Sequence, residues 1–286
     1  MISSTLADDL SAIVGARHVL HRTGELFAYT ADGLPGYRKL PSLAVFPGTR
    51  EETIAVVRAL ARDGTPFVPR GAGTGLSGGA LADGTVLLGL NRLNRILAID
   101  ADNRTATVEP GVVNAHLTRA TARYGLHYAP DPSSQAACTI GGNVAENAGG
   151  PHCLKYGVTL NHVLEVTALL PNGDIVTLGS ARAKLTRIRP AGSLRGVGGL
   201  LWGGTRCDGA IDARPAGHSR SSPTSPASTR PRAVSAIVAS GIVPAALEMM
   251  DAGTIRAVII GVCCRIPDRR CRRAPDRDRW PGRRTR

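Results

Sequence analysis

Apolar residues recur at helical spacing in three stretches of the first 125 residues and alternate or cluster between them. Residues 3–15 place Leu6, Leu10, Ile13 and Val14 on one side behind Ser3 or Ser4 as N-cap, which predicts a short amphipathic helix. Leu43–Phe46 reads as a short apolar strand. Thr49 and Glu52 then make a Thr-x-x-Glu capping box, and Ile54, Val57, Leu60 and Ala61 keep helical period up to Gly64, a C′ residue. Phe67–Val68 returns as a strand and completes a strand–helix–strand unit. Thr85–Leu90 and Ile96–Asp100 read as further strands, and Thr105, Thr107 and Glu109 alternate with Ala106 and Val108. Val113–Tyr124 is helical and stops at Gly125. Glu165–Leu170 and Ile175–Leu178 flank Asn172-Gly173, a strong hairpin signal. The pattern predicts an α+β fold.

Two glycine-bearing segments interrupt it. The first, PRGAGTGLSGGA (69–80), holds a literal GxGxxG at Gly73, Gly75 and Gly78. A Rossmann site needs a crossover helix behind that motif. Only about six residues separate Gly79 from the strand at Thr85, so the helix is excluded. The loop still suits an anion cradle, because consecutive glycines let backbone N–H groups converge on a phosphate without Cβ obstruction. Arg70 could add charge; the plain alternative is a flexible turn. The second, PDPSSQAACTIGGNVAENAGGP (130–151), reads as about 20 residues without regular structure, unusual unless it wraps a ligand. Asp131, Ser133 and Ser134 offer acceptors and hydroxyls, Gly141-Gly142 allows close approach, and Asn143, Glu146 and Asn147 add polar groups. Two such loops suit a long ligand carrying a pyrophosphate.

Charge divides the chain. Residues 1–180 hold 14 basic and 15 acidic side chains, whereas residues 181–286 hold 21 and 7, and of those 21 only Lys184 is not arginine. Residues 214–232 are almost all Ser, Pro, Thr and Arg, a composition that cannot bury a core. The N-terminus shows no basic and apolar leader, and the longest uncharged stretch, Ala233 to Leu247, is broken by Gly241 and Pro244. The six cysteines lack Cys-x-x-Cys spacing, and adjacent Cys263 and Cys264 disfavour a shared tetrahedral ion, so no metal is expected. These features lead to the expectation of a reducing, cytoplasmic protein without a transmembrane segment.

PRGAGTGLSGGA followed by DPSS…TIGGNVAENAGGPHCLKYGVT resembles the FAD-linked oxidases of the vanillyl-alcohol-oxidase and p-cresol-methylhydroxylase (PCMH) type over roughly residues 20–180. Within that family the likeness is to the D component of glycolate oxidase and the related D-lactate and D-2-hydroxyglutarate dehydrogenases. The resemblance implies a PCMH-type flavin domain of two α+β subdomains with FAD between them. It implies that Arg70, Gly71, Ala72, Gly73, Thr74, Gly75, Leu76 and Ser77 hold the pyrophosphate. Pro130, Asp131, Ser134, Ile140, Gly141, Gly142, Asn143 and Asn147 would line the rest of the cofactor. Some relatives carry in the first loop a histidine bonded covalently to the flavin; Thr74 stands there, so non-covalent FAD is expected. The implied reaction oxidises a 2-hydroxy acid to the 2-oxo acid, hydride passing to flavin while a base removes the hydroxyl proton.

The family's Gly-Ser-Glu-Gly-Thr-Leu-Gly stretch does not appear between Ala181 and Arg232. Residues 233–258 again resemble the family, at the start of its substrate-binding cap, and the likeness then ends. The expected organisation is a helical lead-in (1–40), the PCMH-type domain (41–180), a disordered Arg/Pro/Ser-rich segment (181–232), a cap remnant (233–258) and a basic disordered tail (259–286). The second subdomain and cap are then incomplete. The composition of 181–232 and 259–286 fits out-of-frame reading of a GC-rich gene. No catalytic base is assignable. His152 is a candidate substrate contact, and His116 and His127 read as structural or surface residues. Partner subunits of a glycolate oxidase complex are possible. Two alternatives stay open: a basic tail binding nucleic acid or an anionic surface, and an inactive fragment. Against the first, the tail holds a single Trp280 and no Tyr or Phe for base stacking, so no nucleic acid is expected.

Overall fold

The computed structural model describes residues 4–179, 212–213 and 230–241. The expectations for 181–211, for 214–229, for the cap resemblance beyond 241 and for the tail with its Cys263, Cys264 and Cys271 lie outside them. The chain divides into two units, residues 1–214 and 215–286. In the second, residues Arg230–Ala239 form a ten-residue helix.

The first unit opens with α1 (Ser4–Val14), whose Leu6, Leu10 and Val14 are buried as the spacing predicts. It continues through β1 (Val19–Leu20), α2 (Thr23–Leu26), β2 (Leu43–Val45), α3 (Arg50–Asp63), β3 (Phe67–Arg70) and β4 (Val86–Gly89). Both ends of α3 obey its sequence. The Thr49 hydroxyl accepts from the Glu52 N–H, while the Glu52 carboxylate reaches one residue past the cap to the Gly48 N–H at 2.6 Å. Gly64 closes the helix at φ 71°, and Thr65 N–H returns to the Leu60 carbonyl.

These strands form one sheet in the order β1-β2-β4-β3; β2, β4 and β3 run parallel and β1 antiparallel to β2. Alternate residues of β2 and β4 feed two cores. Leu43, Val45, Val86 and Leu88 face α1 and α3, whereas Ala44, Phe46 and Leu87 pack with Leu26 and Ala82 on the other side.

A third core follows from β5 (Ile96–Asp100), β6 (Thr105–Val108), α4 (Asn114–Thr121), β7 (Leu126–His127), α5 (Ile140–Glu146), α6 (Cys153–Tyr156), β8 (Glu165–Leu169) and β9 (Ile175–Gly179). β5 and β6 pair as a hairpin, as do β8 and β9. Val166 and Ala168 of β8 enter this core while Leu169 enters the first, so one strand ties the two together. These cores and their mixed elements make the predicted α+β architecture. Asp212–Ala213, within the segment expected to be structureless, forms β10 against β7.

Two sequence expectations are corrected. Residues 130–151 are not without regular structure. α5 forms inside them because the Thr139 side chain caps its N-terminus and Asn147 ends it at φ 51°. The β8–β9 hairpin exists, but Asn172-Gly173 is not its central pair. Gly173 N–H bonds the Leu170 carbonyl and Leu170 N–H bonds the Asp174 carbonyl, which places Pro171 and Asn172 in the turn and Gly173 (φ 86°) behind them. Pro171 sets the φ that such a turn wants at its first central position.

Candidate functional site

β3 and β4 end side by side at Arg70 and Gly89, and a cleft of about 590 Å3 opens there, on the sheet face opposite α1 and α3. The carboxyl ends of parallel strands are where open α/β sheets take ligands. Tyr29, Phe46, Arg70, Gly71, Ala72, Asn91, Asn94, Gly111, His116 and Thr139 are among the residues that line it.

The glycine loop runs from this cleft without a helix, as its spacing requires. The N–H groups of residues 72–77 find no acceptor among the described residues. Backbone donors left without a protein acceptor beside a cleft are available to an anion. Gly73 and Gly78 sit at φ 68° and 80°, the left-handed region that turns successive N–H groups inward. The carbonyl side is occupied instead: Gly33 N–H bonds the Gly75 carbonyl at 2.8 Å.

Arg70 does not hold its guanidinium out as a loose positive charge. It is 8% exposed and donates to the Ala31 carbonyl at 2.8 Å and the Ala80 carbonyl at 3.2 Å, with Tyr29 ring and carbonyl alongside. Burial lowers its pKa, and the negative charge of Asp32 acts the other way.

The second segment meets the first along α5. A Cβ on Gly71 would collide with the Thr139 hydroxyl, and one on Gly79 would come within 3.1 Å of the Glu146 carboxylate. Ile140 and Gly141 donate to the Val112 and Pro110 carbonyls, so α5 starts on the back of the 110–113 turn. Gly141 is glycine for that contact: a Cβ would lie 2.6 Å from Pro110 Cβ. Gly71 and Gly142 thus lie at one junction, with Ile140 and Gly141 seated on residues 110–112.

The remaining predicted residues serve the fold around them. The Pro130 carbonyl accepts from Asn114 Nδ2, and the Ser134 carbonyl accepts from Ala137 and Cys138. Asn147 Oδ1 accepts from Leu160 N–H. Asp131 Oδ2 meets His152 Nδ1 at 2.7 Å, and its other carboxylate oxygen is packed against Gly150. Asn143 is buried beside Cys138, whose thiol is pushed up in pKa by burial against the opposing bonds from Ser134 and Asn143. Thr74, Leu76 and Ser77 lie on the open loop, Leu76 being 65% exposed.

Comparison with known proteins decides what the loop belongs to. Residues 41–179 match the sequence model of the FAD binding domain family. This segment is an FAD binding domain. The chain is 42% identical over 241 residues to the glycolate oxidase subunit GlcD of Escherichia coli (strain K12), covering 84% of this chain and 48% of that protein. It is 40% identical over 158 residues to a D-lactate dehydrogenase of Anaerostipes hadrus, covering 54% and 33%. In structure it resembles p-cresol methylhydroxylase with a TM-score of 0.59 at 22% identity, over 71% of this chain and 41% of that one, which establishes a PCMH-type fold. The chain spans about half the length of the glycolate oxidase subunits it matches.

The open amides of residues 72–77 fit the diphosphate of the FAD that this domain family binds, since they supply donors without a Cβ in front of them at Gly73 and Gly75. His116, expected to be structural or at the surface, is exposed and lines the cleft, as do Tyr29, Asn91 and Asn94. One signal could have found the asparagines: two amides three residues apart immediately behind a fully apolar strand. Among the described residues no cluster of His, Cys, Asp or Glu could hold a metal ion, and no helix is long and apolar enough to cross a membrane.

Proposed function

We propose that this chain is an FAD-dependent oxidoreductase of the 2-hydroxy-acid class, acting on glycolate, D-lactate or a related substrate and holding its flavin non-covalently. The observation that carries the reading is the row of open amides at residues 72–77, which begins at Ala72 in the lining of the cleft. The likeness to glycolate oxidase subunits and D-lactate dehydrogenase supports the substrate class. FAD would supply the acceptor for the hydride lost from the substrate α-carbon. Residues 72–77 would bind its diphosphate through backbone N–H groups, with Thr74 in place of a covalent histidine. The sheet edge at Arg70–Ala72 and the α5 start at Thr139–Gly142 would flank the rest. His152, fixed by Asp131, is the candidate for substrate contact. A cytoplasmic location and assembly with glycolate oxidase partner subunits belong to the same reading.

The reading extends to the Arg-rich segments. We infer that residues 181–232 and 259–286 are out-of-frame translations, which leaves the second subdomain and the cap incomplete and the chain able to hold flavin but slow or inactive with substrate. The abrupt change from balanced charge to arginine excess supports this.

Two measurements test it. Purified full chain incubated with FAD and passed through a desalting column retains visible flavin absorbance; colourless protein overturns the flavin reading. Holoprotein mixed anaerobically with glycolate, D-lactate or D-2-hydroxyglutarate then loses that absorbance if it is catalytically competent. Resequencing the gene around codons 180 and 258, with peptides from both Arg-rich segments, decides the frame.

A further inference from the structure

The glycine loop is held by a short segment well outside the motif. Asp32 accepts Gly78 N–H on Oδ2 at 2.9 Å and Leu34 N–H on Oδ1 at 2.8 Å. Gly33, next in sequence, donates to the Gly75 carbonyl, and a Cβ there would stand 2.6 Å from the Thr74 carbonyl oxygen. From the other end, Arg70 grips Ala31 and Ala80 at once, so its guanidinium joins this segment to the residue that closes the loop. Gly73 is pressed so closely on that guanidinium that a Cβ would collide with it.

The bonds engage the far end of the loop and leave one run of its donors open. Segment 31–33 takes the Gly75 carbonyl and the Gly78 N–H, and Arg70 takes the Ala80 carbonyl. The amides from Ala72 to Ser77 remain unbonded. A flexible loop would lose backbone entropy when it closed on a ligand. A loop already clasped has lost it on folding.

We propose that Asp32 and Arg70 are positioning residues: they form a clasp that presets the loop for a diphosphate, with Arg70 acting through the backbone of residues 73–80 rather than by touching phosphate. The proposal rests on the reading of residues 72–77 as the diphosphate site. Asp32→Asn tests it most narrowly, because the amide keeps an acceptor for Leu34 but presents N–H toward the Gly78 N–H. Arg70→Lys is the second variant, since a single ammonium cannot span two carbonyls that a fork spans.

The experiment measures binding of FAD and of ADP, which carries the diphosphate without the flavin, to the full chain and both variants. Thermal unfolding of the ligand-free proteins and phosphorus NMR of bound ADP accompany it. The expected result is a loss of tenfold or more in affinity, equal for FAD and ADP, with phosphorus resonances moved toward their free positions and unchanged unfolding temperature. If the parent chain binds neither ligand, the site reading and the clasp fail together. If the parent binds and both variants bind as well, the clasp alone fails. A loss confined to FAD places the effect at the flavin and overturns it. Unfolding of both variants makes the pair a determinant of the fold and overturns it too.

Discussion

In residues 71–79 the amides of Ala72 to Ser77 have no acceptor among the described residues, whereas in residues 139–150 the amides of Ile140, Gly141, Gly142, Asn143, Asn147, Ala148 and Gly150 all have acceptors. Both segments are rich in glycine, and glycine serves a different end in each. In the first, Gly73 and Gly78 supply backbone conformations that a side chain resists. In the second, Gly141 is helical and supplies nearness, letting α5 rest on Pro110. A glycine count does not distinguish a ligand cradle from a packing contact; the fate of the N–H groups does.

The largest effect expected from breaking this contrast is at Gly73. Gly73→Ala forces a side chain into φ 68° and against the Arg70 guanidinium, so the loop must open on the side that Arg70 holds. FAD affinity should fall tenfold or more, read by flavin fluorescence titration, with a destabilisation of about 1–3 kcal/mol at most. Gly141→Ala should reverse the pattern. Its Cβ meets Pro110 Cβ at 2.6 Å, so the cost falls on folding, about 1–3 kcal/mol in urea unfolding. Flavin affinity should change far less than in Gly73→Ala. Equal flavin loss in the two variants would erase the distinction.

What could be read along the chain, and what could not, follows the same line. The α3 caps at Thr49 and Gly64, the half-buried β6 and the missing crossover helix behind Gly79 are set by neighbours within a few residues, and each was legible. α5 was not, because Gly141-Gly142 lowers helix propensity and the helix exists through Thr139 and its seat on residues 110–113. The role of Arg70 was hidden for the same reason: its partners at 29, 31 and 80 are brought to it by the sheet. The segment around Asp32 carried no motif, since its contribution is one carboxylate and one glycine placed by tertiary structure.

A smaller effect sharpens the comparison within the second segment. Thr139→Ala removes the hydroxyl that accepts Gly142 N–H at 3.3 Å and caps α5, costing about 1 kcal/mol. The same hydroxyl is packed against Gly71, so this substitution in the second segment is expected to be felt by the first. A double-mutant cycle of Thr139→Ala with Asp32→Asn on FAD affinity measures that coupling.

The smallest effect belongs to a turn outside both segments. Asp100, at the end of β5, accepts from the side chain and backbone N–H of Asn103, and these bonds hold its carboxyl below the usual aspartate range. A carboxyl whose pKa is lower folded than unfolded contributes stability that is complete above its unfolded value and is lost as pH falls through the folded one. The unfolded value is 3.8, so the contribution should be flat above about pH 5 and fade below pH 4. Asp100→Asn should therefore be slightly less stable than the parent at neutral pH and converge with it in acid, as measured by thermal unfolding across pH. Because Asp100 is exposed on the β5–β6 turn, remote in sequence from both glycine segments, flavin affinity at neutral pH should not move. If it does, the two segments answer to the whole hairpin rather than to their own backbone, and the contrast between open and bonded amides would no longer explain which glycines matter for flavin.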